Sequence, residues 1–248
     1  MTEASFDPGT GALVASAAAI DALRRLGRGE ELTGGEGDPA GHEELERAGA
    51  LRSGAPHPAL EPTLDAVAAP VCEAALARGD RRGRVWVDAR VSVLLVPEPD
   101  GRLKLGTVPT PFLPLALARV NGLGPRPRIE PAVRLSFSAG DLARLLAERD
   151  LAAVWSAAPD TPETAAARAL VRGLREHWRV EVRWAPAPDS PGVRAVEVID
   201  TDAGLWLVVP DDPGVELWPT SPTTVFRRLA ALLPATEELD AEALRQGL

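Results

Sequence analysis

The sequence predicts an α+β fold of two similar halves, each a mainly antiparallel sheet flanked by helices. Three observations carry this expectation. The stretch from Val14 to Leu23 and the stretch from Leu135 to Leu145 run in the same order: a short apolar strand, a serine, then an Ala/Leu/Arg helix. Asp100-Gly101 followed by Pro109-Thr110-Pro111 resembles Asp202-Ala203-Gly204 followed by Pro219-Thr220-Ser221-Pro222. Val-rich runs broken by Asp, Gly and Pro read as hairpins. A weak repeat at half the chain length points to a two-lobed molecule. We set the halves at residues 1–125 and 133–248, with 126–132 as linker, and their sheets can join into one across a pseudo-dyad.

In the first half, Leu13–Ala15 is a strand and Ser16 caps a helix to about Leu26, with Ile20, Leu23 and Leu26 at helical spacing. Gly27 to Gly41 is a Gly/Glu-rich loop. A short helix follows from Glu43 to Ala50, a turn from Gly54 to Pro58, and a helix from Leu60 to Arg78 interrupted by Pro70. Arg84–Arg90 and Val91–Val96 are strands; Glu98-Pro99-Asp100-Gly101 is a turn, because Gly accepts the positive φ required there. Pro111–Val120 is a helix stopped by Asn121-Gly122.

In the second half, a strand near Val133–Phe137 leads to a helix capped by Ser138. Thr161-Pro162 opens a helix to about His177, with Pro in the first turn where a missing N–H costs nothing. Strands follow at Arg179–Trp184, Val193–Asp200, Leu205–Val209 and Val215–Trp218, then a helix from Thr223 to Leu233 and a short one at Asp240–Leu248. The second half is read as carrying an added hairpin, turning at Pro210-Asp211-Asp212-Pro213-Gly214. Centred on Asp212, that turn sets Trp206 opposite Trp218, with Trp206, Val208, Glu216 and Trp218 on one face.

Composition narrows the function. The 248 residues carry a net charge of −9, which disfavours a phosphate backbone as partner. No apolar run approaches the ~18 residues that span a bilayer, and the N-terminus lacks a basic signal region, so a cytoplasmic protein is expected. Cys72 is the only cysteine, read as a small buried residue on a helix. There is no phosphate-binding loop, dinucleotide fingerprint or nucleophile elbow. His42, His57 and His177 lack metal-ligand spacing, and the Asp200/Asp202 and Asp211/Asp212 pairs read as turn residues. No catalytic residue, cofactor or metal is expected.

Leu51-Arg52-Ser53-Gly54, His57-Pro58-Ala59-Leu60 and Leu64 through Pro70 resemble a Gly-x-x-x-Pro-x-Leu, Leu-x-x-Leu-x-x-Pro stretch of the EspG family, associated with ESX (type VII) secretion in actinobacteria. Val67 stands where that pattern has its second Leu. Val198 through Leu207, with Asp200-Thr201 and Gly204, resembles the family's C-terminal strand, and Pro219-Thr220-Ser221-Pro222 with the helix to Leu233 resembles its closing helix. The resemblance implies a pseudo-two-fold chaperone that binds the tip of a long helical secretion substrate, PPE- or WXG-like, before export. A non-catalytic scaffold or regulatory interaction module is the alternative, and an unrecognised enzyme the third reading. From strand alternation, Trp86, Val93, Leu95, Trp206, Val208 and Trp218 are the candidate partner contacts.

Overall fold

The computed structural model describes residues 3–28, 39–151, 161–187, 190–235 and 238–239. The first strands are β1 (Ser5–Asp7) and β2 (Ala12–Ala15), followed by helices α1 (Ala17–Gly27) and α2 (Pro39–Arg47). A small ribbon, β3 (Leu51–Arg52) and β4 (Ala55–Pro56), precedes α3 (Glu61–Ala68). Four strands then meander: β5 (Cys72–Arg78), β6 (Arg81–Val87), β7 (Val91–Pro97) and β8 (Leu103–Pro109), ending in α4 (Leu113–Val120). The second half gives β9 (Leu135–Ser138), α5 (Ala139–Glu148) and α6 (Pro162–Arg172). Its own meander is β10 (Leu174–Ala187), β11 (Ser190–Thr201), β12 (Gly204–Asp211) and β13 (Gly214–Thr220), ending in α7 (Pro222–Ala230).

Among the described residues one sheet of eleven strands runs β1-β2-β8-β7-β6-β5-β10-β11-β12-β13-β9. Leaving out the edge strand β1, its order reads alike from β2 and from β9 toward β5 and β10, which pair antiparallel from Trp178↔Arg78 to Arg183↔Glu73. The fold is therefore α+β, with the two meanders related by a pseudo-dyad at this seam.

Alternation along the strands builds three cores. On one face, Cys72, Ala74 and Leu76 of β5 join Trp178, Val180 and Val182 of β10 under α4 and α7, through Leu113, Leu117, Val225 and Leu229. On the opposite face, α1, α2 and α3 cover the outer strands of the first half, burying Trp86, Val93 and Leu105. There α5 and α6 cover the outer strands of the second half, burying Phe137, Trp206 and Leu217. The helix starts follow capping chemistry: Ser16, Ser138, Thr161 and Ser221 each accept a hydrogen bond from a backbone N–H of the first turn.

Several expectations are corrected. The Leu60–Arg78 helix ends at Ala68, and the chain beyond Pro70 is strand β5, so Cys72 lies on a strand. Its Ala-rich sequence favours helix, but pairing on both sides, with β6 and β10, overrides that propensity. His177 likewise lies in β10, not at a helix end. With β5 recognised, each half has four meandering strands, so the β12–β13 hairpin is no addition; its counterpart is the β7–β8 hairpin at Asp100-Gly101. Its register is one residue off the expected one: Leu207 opposes Trp218 and Trp206 opposes Pro219, because the turn closes on Asp211 and Gly214. The slip sends Trp206 and Trp218 to opposite faces of the sheet. The short helix expected at Asp240–Leu248 and most of the loop from Gly27 to Gly41 lie outside the described residues; Pro39, Ala40 and Gly41 begin α2.

Candidate functional site

Among the described residues, the helices on one face leave the middle of the sheet uncovered. On the face shared by the first- and second-half helical layers, α3 packs on β6 and β7 and α1 on β8, while α5 packs on β9 and β13 and α6 on β9. Between these layers, β5, β10 and the adjoining part of β11 turn their alternate side chains to solvent. Ala75, Arg179, Arg183, Val193 and Ala195 are exposed; Glu73, Ala77, His177, Glu181 and Glu197 are half-buried. A sheet with one face packed and one wet alternates in this way. The alanines make the seam low: Glu181 is flanked by Ala75 on β5 and Ala195 on β11, and Arg179 by Ala77. The result is a shallow saddle between two helical walls.

The saddle's charges are neutralised internally. Arg179 donates to Glu197 at 3.0 Å and to Glu181, and Arg183 donates to Glu181 at 2.7 Å. His177 Nε2 meets Glu197 Oε1 at 2.8 Å, and Arg84 reaches Glu73 at 3.7 Å. Burial pushes the Glu197 carboxyl up, but hydrogen bonds and charge from His177 and Arg179 outweigh it and hold the group below the usual carboxylate range. Hydrogen bonds from Arg179 and then Arg183 lower Glu181 similarly.

The six predicted contacts do not converge on this saddle. Trp86 and Val93 are buried under the first-half helices, and Trp206 and Val208 under the second-half ones, so in this conformation their side chains make core contacts. Trp86 reaches the saddle's border, where Arg24 and Arg84 stack over its ring at 5.3 and 5.8 Å. Leu95 is half-buried against the first-half core. Trp218 is half-buried on the other face, with the Arg134 guanidinium 4.1 Å from its ring centroid. It lines a cleft of about 560 Å³ with Leu207, Ile129 and Arg228. The saddle residues Ala75, Ala77 and Glu73 were missed because β5 was read as helix; the period-two run Cys72, Ala74, Leu76 was the available signal.

The remaining candidate chemistry is dispersed. His42 pairs with Glu46 on α2 at 3.6 Å, and His57 Nδ1 accepts from the Ala59 N–H. Among the described residues no group of three His, Cys, Asp or Glu side chains is placed to hold a metal. The Cys72 thiol is buried and its pKa is pushed up to about 12 by desolvation, which suits packing rather than nucleophilic chemistry. Asp200 is more than a turn residue: it is buried and accepts from Arg126 Nε at 2.8 Å and Nη2 at 2.6 Å, tying the segment between α4 and β9 to β11. No helix among the described residues is long and apolar enough to cross a membrane.

No family model and no curated protein matches the sequence. Among solved structures, the fold is similar to that of the Mycobacterium tuberculosis type VII secretion system chaperone EspG5 in complex with a PE25–PPE41 dimer. The TM-score is 0.60 at 11% sequence identity, over 93% of this chain and 100% of that one. At that identity the likeness is one of fold.

Proposed function

We propose that this protein is a chaperone-like carrier that binds a helical secretion substrate of a type VII-like system, PPE- or WXG-like in character, in the cytoplasm before export. The observation that carries the reading is the fold likeness to a chaperone solved with a PE–PPE dimer, extending over nearly the whole chain. The bare saddle supports it. A strip with the charged row Arg179, Glu181 and Arg183 along its middle strand β10, flanked by Ala75 and Ala77 on β5 and Ala195 on β11, suits the side of a helix or the tip of a helical hairpin. Exposed charges there set orientation and encounter rate, and the small residues allow close approach. The reading treats residues 1–125 and 133–248 as two lobes joined by 126–132. It keeps Trp218 and Leu95, the half-buried members of the predicted set, as outlying contacts. No catalytic role is part of it.

The test is affinity capture of the tagged chain from the organism that encodes it, followed by mass spectrometry and size-exclusion of the recovered complex. A small secreted helical protein at equal stoichiometry is expected. Recovery of the chain alone, or with a non-secreted assembly, would replace the carrier reading by a scaffold.

A further inference from the structure

The pseudo-dyad makes each half a control for the other, and one of their differences lies on the face under α4 and α7. The matching ladders set Leu94 and Val96 of β7 where β12 has Leu207 and Val209, and Gly106 of β8 where β13 has Trp218. The helices agree, with Leu113 and Leu117 of α4 in the places of Val225 and Leu229 of α7. In the second half the Trp218 indole packs against the shared core, capped by Arg134 and donating to Glu216 at 2.7 Å. In the first half the corresponding place is open: a Cβ built on Gly106 meets nothing within 4 Å. A groove of about 520 Å³ lies there, lined by Leu94, Val96, Val108, Ala116 and Val120. Lys104, Arg119 and Glu98 also line it, two cations to one acid in a chain whose net charge is −9. Neither Lys104 nor Arg119 has an ion pair among the described residues.

We infer that this groove is a docking pocket for an aromatic side chain presented by a partner protein, on a segment that also carries a carboxylate. The internal precedent gives the chemistry of the occupant: the same scaffold seats an indole in the other half, with a cation over its ring and a carboxylate beside it. Charge complementarity supplies the second element, because Lys104 and Arg119 at the mouth favour an acidic neighbour. Aromatic side chains bring large contact area with few torsions to immobilise, which is why such pockets concentrate binding energy. The groove lies on the face opposite the saddle, so this inference does not rest on the carrier reading.

The experiment follows the methyl NMR signals of Leu94, Val96 and Val108 while the full chain is titrated with the peptide Ac-Glu-Trp-Leu-Glu-NH2. Saturable shifts confined to the methyls that line the groove are expected, with a dissociation constant on the order of 1 mM for so small a ligand. The peptide with lysines for glutamates should bind at least about fivefold more weakly. Gly106→Trp should fill the groove from within, raise the melting temperature and abolish the shifts. Ala116→Arg, on the helix side, should abolish them without the added ring, and Ala75→Trp in the saddle should leave them unchanged. The inference is overturned by an absence of methyl shifts, by equal binding of the lysine peptide, or by a lower melting temperature for Gly106→Trp. Self-association of the parent chain that Gly106→Trp removes would also overturn it, assigning the groove to a second copy.

Discussion

Replacing Arg126 by alanine isolates the contact that ties the segment between α4 and β9 to the sheet. The Arg126 guanidinium approaches the Asp200 carboxylate at 2.8 Å through Nε and at 2.6 Å through Nη2. Asp200 holds that guanidinium above its ordinary pKa by hydrogen bonding, against the burial that lowers it. The Asp200 side chain is 9% exposed and that of Arg126 19%, so the variant strands a carboxylate with little access to water. Breaking a fully buried pair from one side costs about 3–5 kcal/mol. With a fifth of the arginine reaching solvent, about 2–3 kcal/mol is the working figure. In a chain of this size each kcal/mol moves the melting temperature by roughly 2–4 °C, so a fall of about 5–10 °C is expected. Beside the pair, Gly204 has Pro127 O and Ile129 so close that an added Cβ would lie 2.7 Å from both, so the segment's packing loosens with its anchor. Urea unfolding followed by circular dichroism measures the cost, and the double variant with Asp200→Ala measures the coupling: once Asp200 is gone, losing Arg126 should cost little more. An Arg126→Ala variant within about 0.5 kcal/mol of the parent would refute the anchoring role.

Three further outcomes follow from packing and charge. Gly41→Ala should destabilise the chain by about 2 kcal/mol or more in the same unfolding assay, because the new Cβ would lie 2.7 Å from the Ala18 carbonyl on α1, a backbone atom that cannot turn aside. Glu197 titrates below its ordinary range when folded, so its contribution is present above about pH 4.5 and is lost as pH falls through the folded value. Glu197→Gln should therefore lower stability at neutral pH and flatten its decline in acid, leaving the part due to Glu181; an unchanged acid profile would contradict this. Cys72 should resist a thiol reagent at pH 8 in the folded chain and react at once in denaturant, since it is buried with its pKa near 12; ready labelling of the native protein would contradict its place in the core.

The capped helices were legible because their signals are local: Ser16, Ser138 and Thr161-Pro162 announce helix starts whatever surrounds them. The doubling was legible for the same reason, since both halves repeat strand, serine and helix. What escaped was settled by distant partners. β5 has an Ala-rich helical composition and becomes a strand because β6 and β10 flank it. Missing it hid both the seam at the pseudo-dyad and the bare saddle, whose floor includes Ala75 and Ala77. The β12–β13 register depended on which residues close the turn, and a slip of one residue exchanged the faces of Trp206 and Trp218. Alternation marked Trp86, Val93, Trp206 and Val208 as sharing faces with exposed positions, but only the helices packed above them decide that they are buried.

The carrier reading is tested most directly by co-expressing the chain with a PE–PPE-type pair or WXG-type protein encoded beside it and weighing the product by size-exclusion with light scattering, the Ala75→Trp variant run in parallel. The account predicts a stable complex containing one copy of this chain per substrate, lost in the variant while the variant stays folded. The chain eluting alone, or a complex that tolerates a tryptophan in the centre of the saddle, would contradict it.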